Sequence, residues 1–210
     1  MIARVVGVLS VAAVVSGLAG EAQAQSRAWR NVGLGVNVGF VEPLDSDVDG
    51  SAAWGFTGGF APRDGFGVVF GFGWFDAELI DESGPGDQAV GALKVRPLMI
   101  GAGYTWLRGL LAMSASITAG IAFNSGEIYN SYTEDIGGPI DLDVSNSVAI
   151  RPAFEVEYFL TPKFAVTGSV SYLFTNPDIV LTSATERFSD TWDASTFNLF
   201  AGIMVYPFRR

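Results

Sequence analysis

Residues 111–123 of the chain read LAMSASITAGIAF, and this stretch decides the fold. Large or apolar side chains occupy the odd positions from Leu111 to Phe123, whereas small or weakly polar side chains occupy the even positions from Ala112 to Gly120. A period of two residues is that of a β-strand, whose successive side chains point to opposite faces of a sheet. Because the second face is small rather than charged, it suits the crowded inside of a narrow barrel.

Seven further segments show a similar period, and each is close to the ~9–11 residues that a tilted strand needs to cross a bilayer. The predicted strands cover residues 30–41, 52–61, 65–76, 93–106, 110–123, 147–160, 163–175 and 195–208. Long connections alternate with short turns: the long ones are 42–51, 77–92, 124–146 and 176–194, and the short ones are 62–64, 107–109 and 161–163. An even number of strands with this alternation is typical of barrels that span an outer membrane. We therefore predict an all-β fold, an eight-stranded antiparallel up-and-down transmembrane β-barrel.

Aromatic side chains on the predicted outward faces gather at the two ends of the strands. One group lies on the short-turn side: Phe60, Phe66, Tyr104, Trp106, Tyr158, Phe164, Tyr206 and Phe208. The other group lies on the long-loop side: Phe40, Trp54, Trp74, Phe123 and Phe174. Because aromatic rings tolerate the headgroup zone, two such groups indicate two membrane interfaces. The predicted location is the bacterial cell outer membrane.

The charges are also sorted between the two ends. Of the 21 acidic residues after residue 24, 18 lie in or beside the four long loops, whereas basic residues occupy the short turns and the tail. We predict four acidic extracellular loops. Their carboxylates are expected to bridge to lipopolysaccharide through divalent cations, to repel anionic ligands, or only to keep the loops soluble.

The first residues have the features of a secretory signal peptide. Arg4 supplies a basic start, an apolar run covers residues 5–18, and residues 22–24 form an A-x-A cleavage site. The apolar run is shorter than the ~20 residues of a membrane-spanning helix. We therefore interpret residues 1–24 as a cleaved signal peptide rather than an uncleaved anchor, and residues 25–210 as one outer-membrane barrel domain.

The composition argues against several classes of function. A net charge of −10 argues against nucleic acid as a partner, because nucleic acid selects a basic face. The chain has no cysteine and no histidine, which removes thiolate metal sites and histidine-dependent triads and dyads. We predict no enzymatic activity, no catalytic residue, no cofactor and no resident metal.

Three charged side chains share the inward parity of the sixth predicted strand, namely Arg151, Glu155 and Glu157. Charges inside a barrel must be paired or hydrated. We predict that these residues form an interior charge cluster, which either fills and stabilises the lumen or lines a gated polar pathway.

Lys94 and Arg96 on the fourth predicted strand are candidate partners for that cluster across the lumen. Their parity matches the outward Leu98 and Ile100, so a β-bulge near Pro97 is needed to turn them inward. The pairing is therefore predicted only together with that bulge.

Residues 45–50, DSDVDG, match the first half of a calcium-binding loop. The alternating carboxylates of Asp45, Asp47 and Asp49 suit a cation that prefers oxygen ligands. However, the twelfth position of such a loop is Phe56 here rather than glutamate, and no helices are predicted beside it. We interpret the segment as an acidic solvated loop, with cation binding as the alternative.

The whole mature chain resembles the small eight-stranded outer-membrane barrels of the OmpA transmembrane-domain or OmpX type. The most specific likeness is the last strand, residues 198–208, which alternates to an aromatic end through Phe200, Gly202, Met204, Tyr206 and Phe208. The resemblance implies that the barrel-insertion machinery recognises this end. Family members usually stop at the aromatic residue, whereas Arg209 and Arg210 follow here.

Two functions remain from the sequence. The first is a monomeric barrel in contact with outer-membrane lipid, with a mostly filled interior, that displays its loops for surface contacts or envelope integrity. The second is a narrow porin-like channel or small-ligand transport barrel. A third reading, a soluble lipocalin-like barrel, requires the bulky faces to point inward.

Overall fold

The structure is a computed structural model that describes residues 32–44, 49–60, 64–81, 88–129, 141–183 and 187–208. The predicted signal peptide and its cleavage site lie outside these ranges. Within the described ranges, no helix is long and apolar enough to cross a membrane.

Eight strands close into an antiparallel barrel. They are β1 (Val32–Pro43), β2 (Ser51–Phe60), β3 (Gly65–Asp81), β4 (Gln88–Arg108), β5 (Leu111–Ile128), β7 (Ser147–Thr161), β8 (Phe164–Thr175) and β11 (Thr196–Val205). Their order around the barrel is β1-β11-β8-β7-β5-β4-β3-β2, so each strand neighbours the barrel strands before and after it in the chain. The first and last strands close the barrel, with Leu34 opposite Val205 and Pro43 opposite Thr196. The predicted eight-stranded up-and-down barrel is confirmed.

The bulky side chains point away from the barrel axis, as predicted. Val38 is 62% exposed, Ile100 62% and Ile117 59%, whereas their inward neighbours Asn37 and Thr118 are 6% and 2% exposed. A water-soluble protein rarely exposes a continuous apolar band of this kind, because burying such a surface away from water is favourable. The facing therefore excludes the lipocalin-like alternative, which needs the bulky face inside.

The last strand is an exception to the predicted facing. The sequence pattern predicts Tyr206 in the outward aromatic group, but this residue packs inward beside Met204, which is 5% exposed. The outward face of β11 instead carries Phe197, Leu199 and Ile203, which are exposed. Both faces of this strand are largely apolar, so the alternation alone does not determine which face meets lipid.

Three of the predicted long loops are partly built from strands. On the loop side, β3 continues to Asp81, β4 begins already at Gln88, and β5 continues to Ile128, so all three extend beyond their predicted ends. Three shorter strands, β6 (Asp141–Val144), β9 (Asp178–Thr182) and β10 (Arg187–Thr191), form a separate sheet in the order β10-β9-β6, which we call the loop sheet. The charged residues in these segments led to their prediction as loops. A strand that extends beyond the bilayer can nevertheless carry charged side chains, because water covers its outer face.

The short turns hold the opposite end together. Arg108 pairs directly with Leu111, so only two residues connect β4 to β5. The first of them, Gly109, has a φ of 64°, a left-handed conformation that glycine adopts without a steric penalty.

Candidate functional site: the barrel lumen

The loop end of the lumen is closed by an apolar cluster, which we call the upper cluster. Its buried members are Val41, Ala53, Phe75, Leu93, Val95, Met99, Ala122, Val144, Ala149 and Leu173. Leu142 and Ile179 of the loop sheet, together with Trp192, pack against it. Phe200 of β11 packs against it as well, so all eight barrel strands and the loop sheet meet in one apolar layer across the mouth.

A second apolar group, the lower cluster, lies at the short-turn end. Ala112, Phe159, Ala165 and Met204 are buried there, and Leu107 and Tyr206 pack against them. The ring centroids of Phe159 and Tyr206 are 5.4 Å apart, and the angle between the two ring planes is 50°. The lower cluster narrows the end of the lumen that faces the short turns.

Between the two clusters is a cavity of about 150 Å³, which we call the polar chamber. All three residues of the predicted interior charge cluster, Arg151, Glu155 and Glu157, line it from β7. The opposite wall has little side-chain volume and includes Gly33, Gly55, Gly59, Gly67 and Gly103. Although much of its lining is apolar, the cavity holds these three charged side chains and has room for several water molecules, which buried charges require when they are not fully paired.

Glu157 is held by the last strand. It is 8% exposed, and its carboxylate accepts a hydrogen bond from the hydroxyl of Tyr206. Glu155 lies between Arg151 and Glu157 on the same inward face of β7 and also lines the chamber. The two carboxyl groups therefore occupy the lower part of the chamber, next to the lower cluster.

A neutral hydrogen-bond chain crosses the chamber wall from β2 to β8. The side-chain amide of Asn37 donates to the hydroxyl of Thr57 at 2.9 Å, and the hydroxyl of Thr167 donates to the amide oxygen of Asn37 at 3.2 Å. Asn37 and Thr167 are buried, so these hydrogen bonds satisfy polar groups that water reaches poorly.

Arg151 projects from β7 into the upper part of the chamber. Its Nε atom is buried and has no hydrogen-bond partner among the described residues. One terminal nitrogen of the guanidinium lies 3.0 Å from the point that a Cβ atom on Gly71 of β3 would occupy. The guanidinium therefore spans much of the lumen just below the upper cluster.

Lys94 and Arg96 do not join the chamber, and the prediction that they pair across the lumen is wrong. The strand register is the same on both sides of Pro97, with Phe72 opposite Leu98 and Phe75 opposite Val95, so the required bulge is absent there. Both cations stay on the outer surface of the barrel.

On that outer surface, the ammonium of Lys94 forms an ion pair with Glu127 at 2.8 Å. The guanidinium of Arg96 lies over the ring of Trp74, with 4.5 Å between Cζ and the ring centroid. Each cation thus has a partner that the sequence pattern did not indicate, because the partners lie on neighbouring strands.

The candidate calcium loop is only partly described. Asp45 and Asp47 lie outside the described residues, and the backbone N–H of Asp49 donates to the carbonyl of Glu78 at 3.1 Å. Among the residues that the structure does describe, no group of side chains has the composition to hold a metal ion. Cation binding at this loop stays a prediction.

The fold is shared with solved outer-membrane proteins. The crystal structure of the outer membrane protein OprG from Pseudomonas aeruginosa superposes with a TM-score of 0.68 at 14% identity, over 84% of this chain and 96% of that chain. Neisserial surface protein A gives 0.55 at 12% identity, over 83% and 96%, and a major outer membrane protein from Thermus thermophilus gives 0.55 at 12%, over 83% and 98%. At these identities the likeness establishes the fold, and it agrees with the predicted location in the outer membrane. No protein-family model matches the chain, and no curated protein matches it in sequence.

Proposed function

We propose that this protein is a monomeric outer-membrane barrel with a structural and surface-interaction role, which presents acidic loops and the loop sheet at the cell surface and does not conduct. The observation that carries the proposal is the upper cluster. Val41 and Val95 are fully buried in it, and Leu93 and Leu173 are 2% exposed. A layer packed to this degree leaves no room for a hydrated solute to pass.

The size of the barrel supports the same proposal. Eight strands enclose an interior just wide enough for side chains to fill. Here the upper cluster, Arg151 and the lower cluster occupy three successive levels of the lumen. The polar chamber is then an internal hydrated layer that stabilises the barrel, rather than part of a continuous path.

The loop sheet supports the surface-interaction part. All five residues of β10 are exposed, and Asp143, Asp178 and Asp190 of the loop sheet are exposed as well. Carboxylates at that height are positioned to bind divalent cations shared with lipopolysaccharide phosphates. We expect a variant with these three residues changed to asparagine to insert normally but to leave cells more sensitive to detergent than the wild-type protein does.

The polar chamber favours a second candidate function, a narrow channel or small-ligand transport barrel. The chamber is charged, and the buried Nε of Arg151 has no partner in it. In this alternative, the upper cluster would open together with the loop sheet that packs on it, and Arg151 would select the solute by charge.

Planar-bilayer recording of the refolded mature chain distinguishes the two functions. The structural proposal predicts no discrete channel events for the wild-type protein. The transport alternative predicts events whose size changes with Arg151→Gln, at the level of the chamber, but not with Glu78→Gln on the outer surface of β3. Wild-type events with that dependence would overturn the structural proposal.

A further inference from the structure

The outward face of β4 changes character at Arg96. Towards the short turns, Leu98 and Ile100 are 54% and 62% exposed and belong to the apolar band, whereas Lys94 on the loop side is charged. Trp106, at the far end of the same face, lies ten residues from Arg96. At about 3.4 Å per residue and a tilt of about 40°, that separation is roughly 25 Å along the membrane normal, the height of the apolar band of such barrels. Arg96 therefore lies at the outer headgroup level.

One aromatic ring lies directly under the Arg96 guanidinium at this level, and two more lie beside that contact. The guanidinium lies over Trp74, which stacks on Trp54 with 5.1 Å between ring centroids. Phe123 lies directly opposite Arg96 on β5 and is 45% exposed. A guanidinium supported on aromatic faces loses little further conformational freedom when it binds a ligand.

The described protein neighbours of Arg96 offer it no anionic partner. Its Nε is buried and makes no hydrogen bond with them, and none of their carboxylates forms an ion pair with the guanidinium. The nearest acidic group on β5 at this end, Glu127, is engaged by Lys94 instead. A cation without an anionic partner at the edge of the hydrocarbon costs free energy, which an anionic group at the same depth would offset.

We propose that Arg96 with Trp54, Trp74 and Phe123 forms a binding site for the phosphate of a phosphorylated glycolipid in the outer leaflet. The inference rests on the proposed function, because it requires the loop end of the barrel to lie in that leaflet. Guanidinium and phosphate are complementary in charge and in hydrogen-bond geometry.

The surroundings favour a lipid over a free anion. Asp76 and Glu78 lie above this site on β3 and are exposed, so a small anion that approaches from solution meets a negative field. A glycolipid instead reaches Arg96 sideways, within the plane of the membrane. Its sugar hydroxyls then donate hydrogen bonds to these carboxylates while its phosphate meets the guanidinium.

The test uses the mature chain refolded in phosphatidylcholine nanodiscs and compares two probes, bisphosphorylated lipid A and the same glycolipid without phosphates. We expect the wild-type barrel to prefer the phosphorylated form, measured as bound lipid by native mass spectrometry. Arg96→Gln should reduce that preference about tenfold, which corresponds to about 1.4 kcal/mol of binding free energy. Arg96→Lys should reduce it less, because the charge remains. Arg108→Gln, at the opposite end of β4, is the matched control and should leave the preference unchanged.

Each alternative gives a different result. Equal binding of both lipids by a folded wild-type barrel, or a preference that survives Arg96→Gln, would overturn the assignment of Arg96. Competition by millimolar inorganic phosphate would show a site for free phosphate and not for a lipid. Loss of the preference with a chelator but not with Arg96→Gln would place the phosphate on a metal held by the carboxylates. A wild-type chain that fails to insert into vesicles, seen as no heat-modifiable shift in electrophoresis, would overturn the proposed function together with this inference.

Discussion

Arg151 on β7 extends across the lumen to Gly71 on β3, where a terminal guanidinium nitrogen lies 3.0 Å from the point that a Cβ atom would occupy. This contact accounts for the glycine at position 71, because the guanidinium of Arg151 occupies the space that a side chain there would need. Since β3 and β7 are separated by two strands around the barrel, this contact couples distant parts of the wall through the lumen.

The contact predicts a graded response to substitution at position 71. Gly71→Leu must displace a charged group from its position below the upper cluster and should lower the free energy of unfolding by about 1–3 kcal/mol. Gly71→Ala should cost less, since the flexible end of Arg151 needs to move by only a few tenths of an ångström. Urea unfolding of the inserted protein, followed by tryptophan fluorescence, measures both.

Gly168→Leu is the matched control for that series. Gly168 faces outward, and a Cβ there has no atom of the described residues within 4 Å, so the same substitution should be neutral or stabilising in lipid. If Gly71→Leu and Gly168→Leu had equal effects, the guanidinium would not be what constrains position 71.

The hydrogen bond from Tyr206 to Glu157 should stabilise the barrel where its ends close. Tyr206→Phe removes a donor from a carboxylate that is 8% exposed and should cost about 1–3 kcal/mol of unfolding free energy. Glu157→Met keeps a similar volume but removes the acceptor. In the double variant the two losses should not add, because each single change already breaks the same hydrogen bond. Strict additivity in the urea midpoints would contradict a direct interaction.

The sequence was sufficient for the barrel because period-two alternation is a local signal. Residues 111–123 show one large and one small face, and the structure places them so, with Ile117 exposed and Thr118 buried. The strand ends were harder to predict. Asp76 and Glu78 continue the alternation of β3 beyond the bilayer, where water and not lipid covers the outer face, so charge there did not mean a loop.

The contacts of the candidate site depend on the register between strands, which alternation does not determine. The sequence put Arg151, Glu155 and Glu157 on one inward face, but Gly71 and Tyr206 became their partners only through the closure of β3 and β11 around the same lumen. For Lys94 and Arg96, parity alone indicated the outer surface, and no bulge occurs at Pro97. Proline cannot donate a backbone hydrogen bond, but here its presence does not shift the register of β4 against β3 or β5.

The lipid-facing surface provides a third prediction. Phe70 is 43% exposed in the middle of β3, so Phe70→Arg places a charge in the hydrocarbon region and should cost about 2–4 kcal/mol. Ser116 lines the polar chamber, and Ser116→Ala should be mild. Heat-modifiable electrophoretic mobility after refolding into vesicles reports both. Normal insertion of Phe70→Arg with failure of Ser116→Ala would mean that the facing of the strands is inverted.

The ion pair on the outer surface of β4 and β5 predicts a pH effect. The hydrogen bond from Lys94 to Glu127, together with the charge of that carboxylate, raises the pKa of the Lys94 ammonium above its ordinary value of 10.5. A raised pKa means that the pair stabilises the fold at pH values below 10.5, and that this contribution is lost as the pH rises through the higher folded value.

The chain has only two lysines, Lys94 and Lys163, so the side-chain carbon signals in an NMR titration are readily assigned. Glu127→Gln should lower the midpoint of the Lys94 signal, whereas Glu78→Gln, which removes an exposed carboxylate from the same surface without touching the pair, should not. A midpoint that fell equally in both variants would indicate a general effect of surface charge instead of this hydrogen bond.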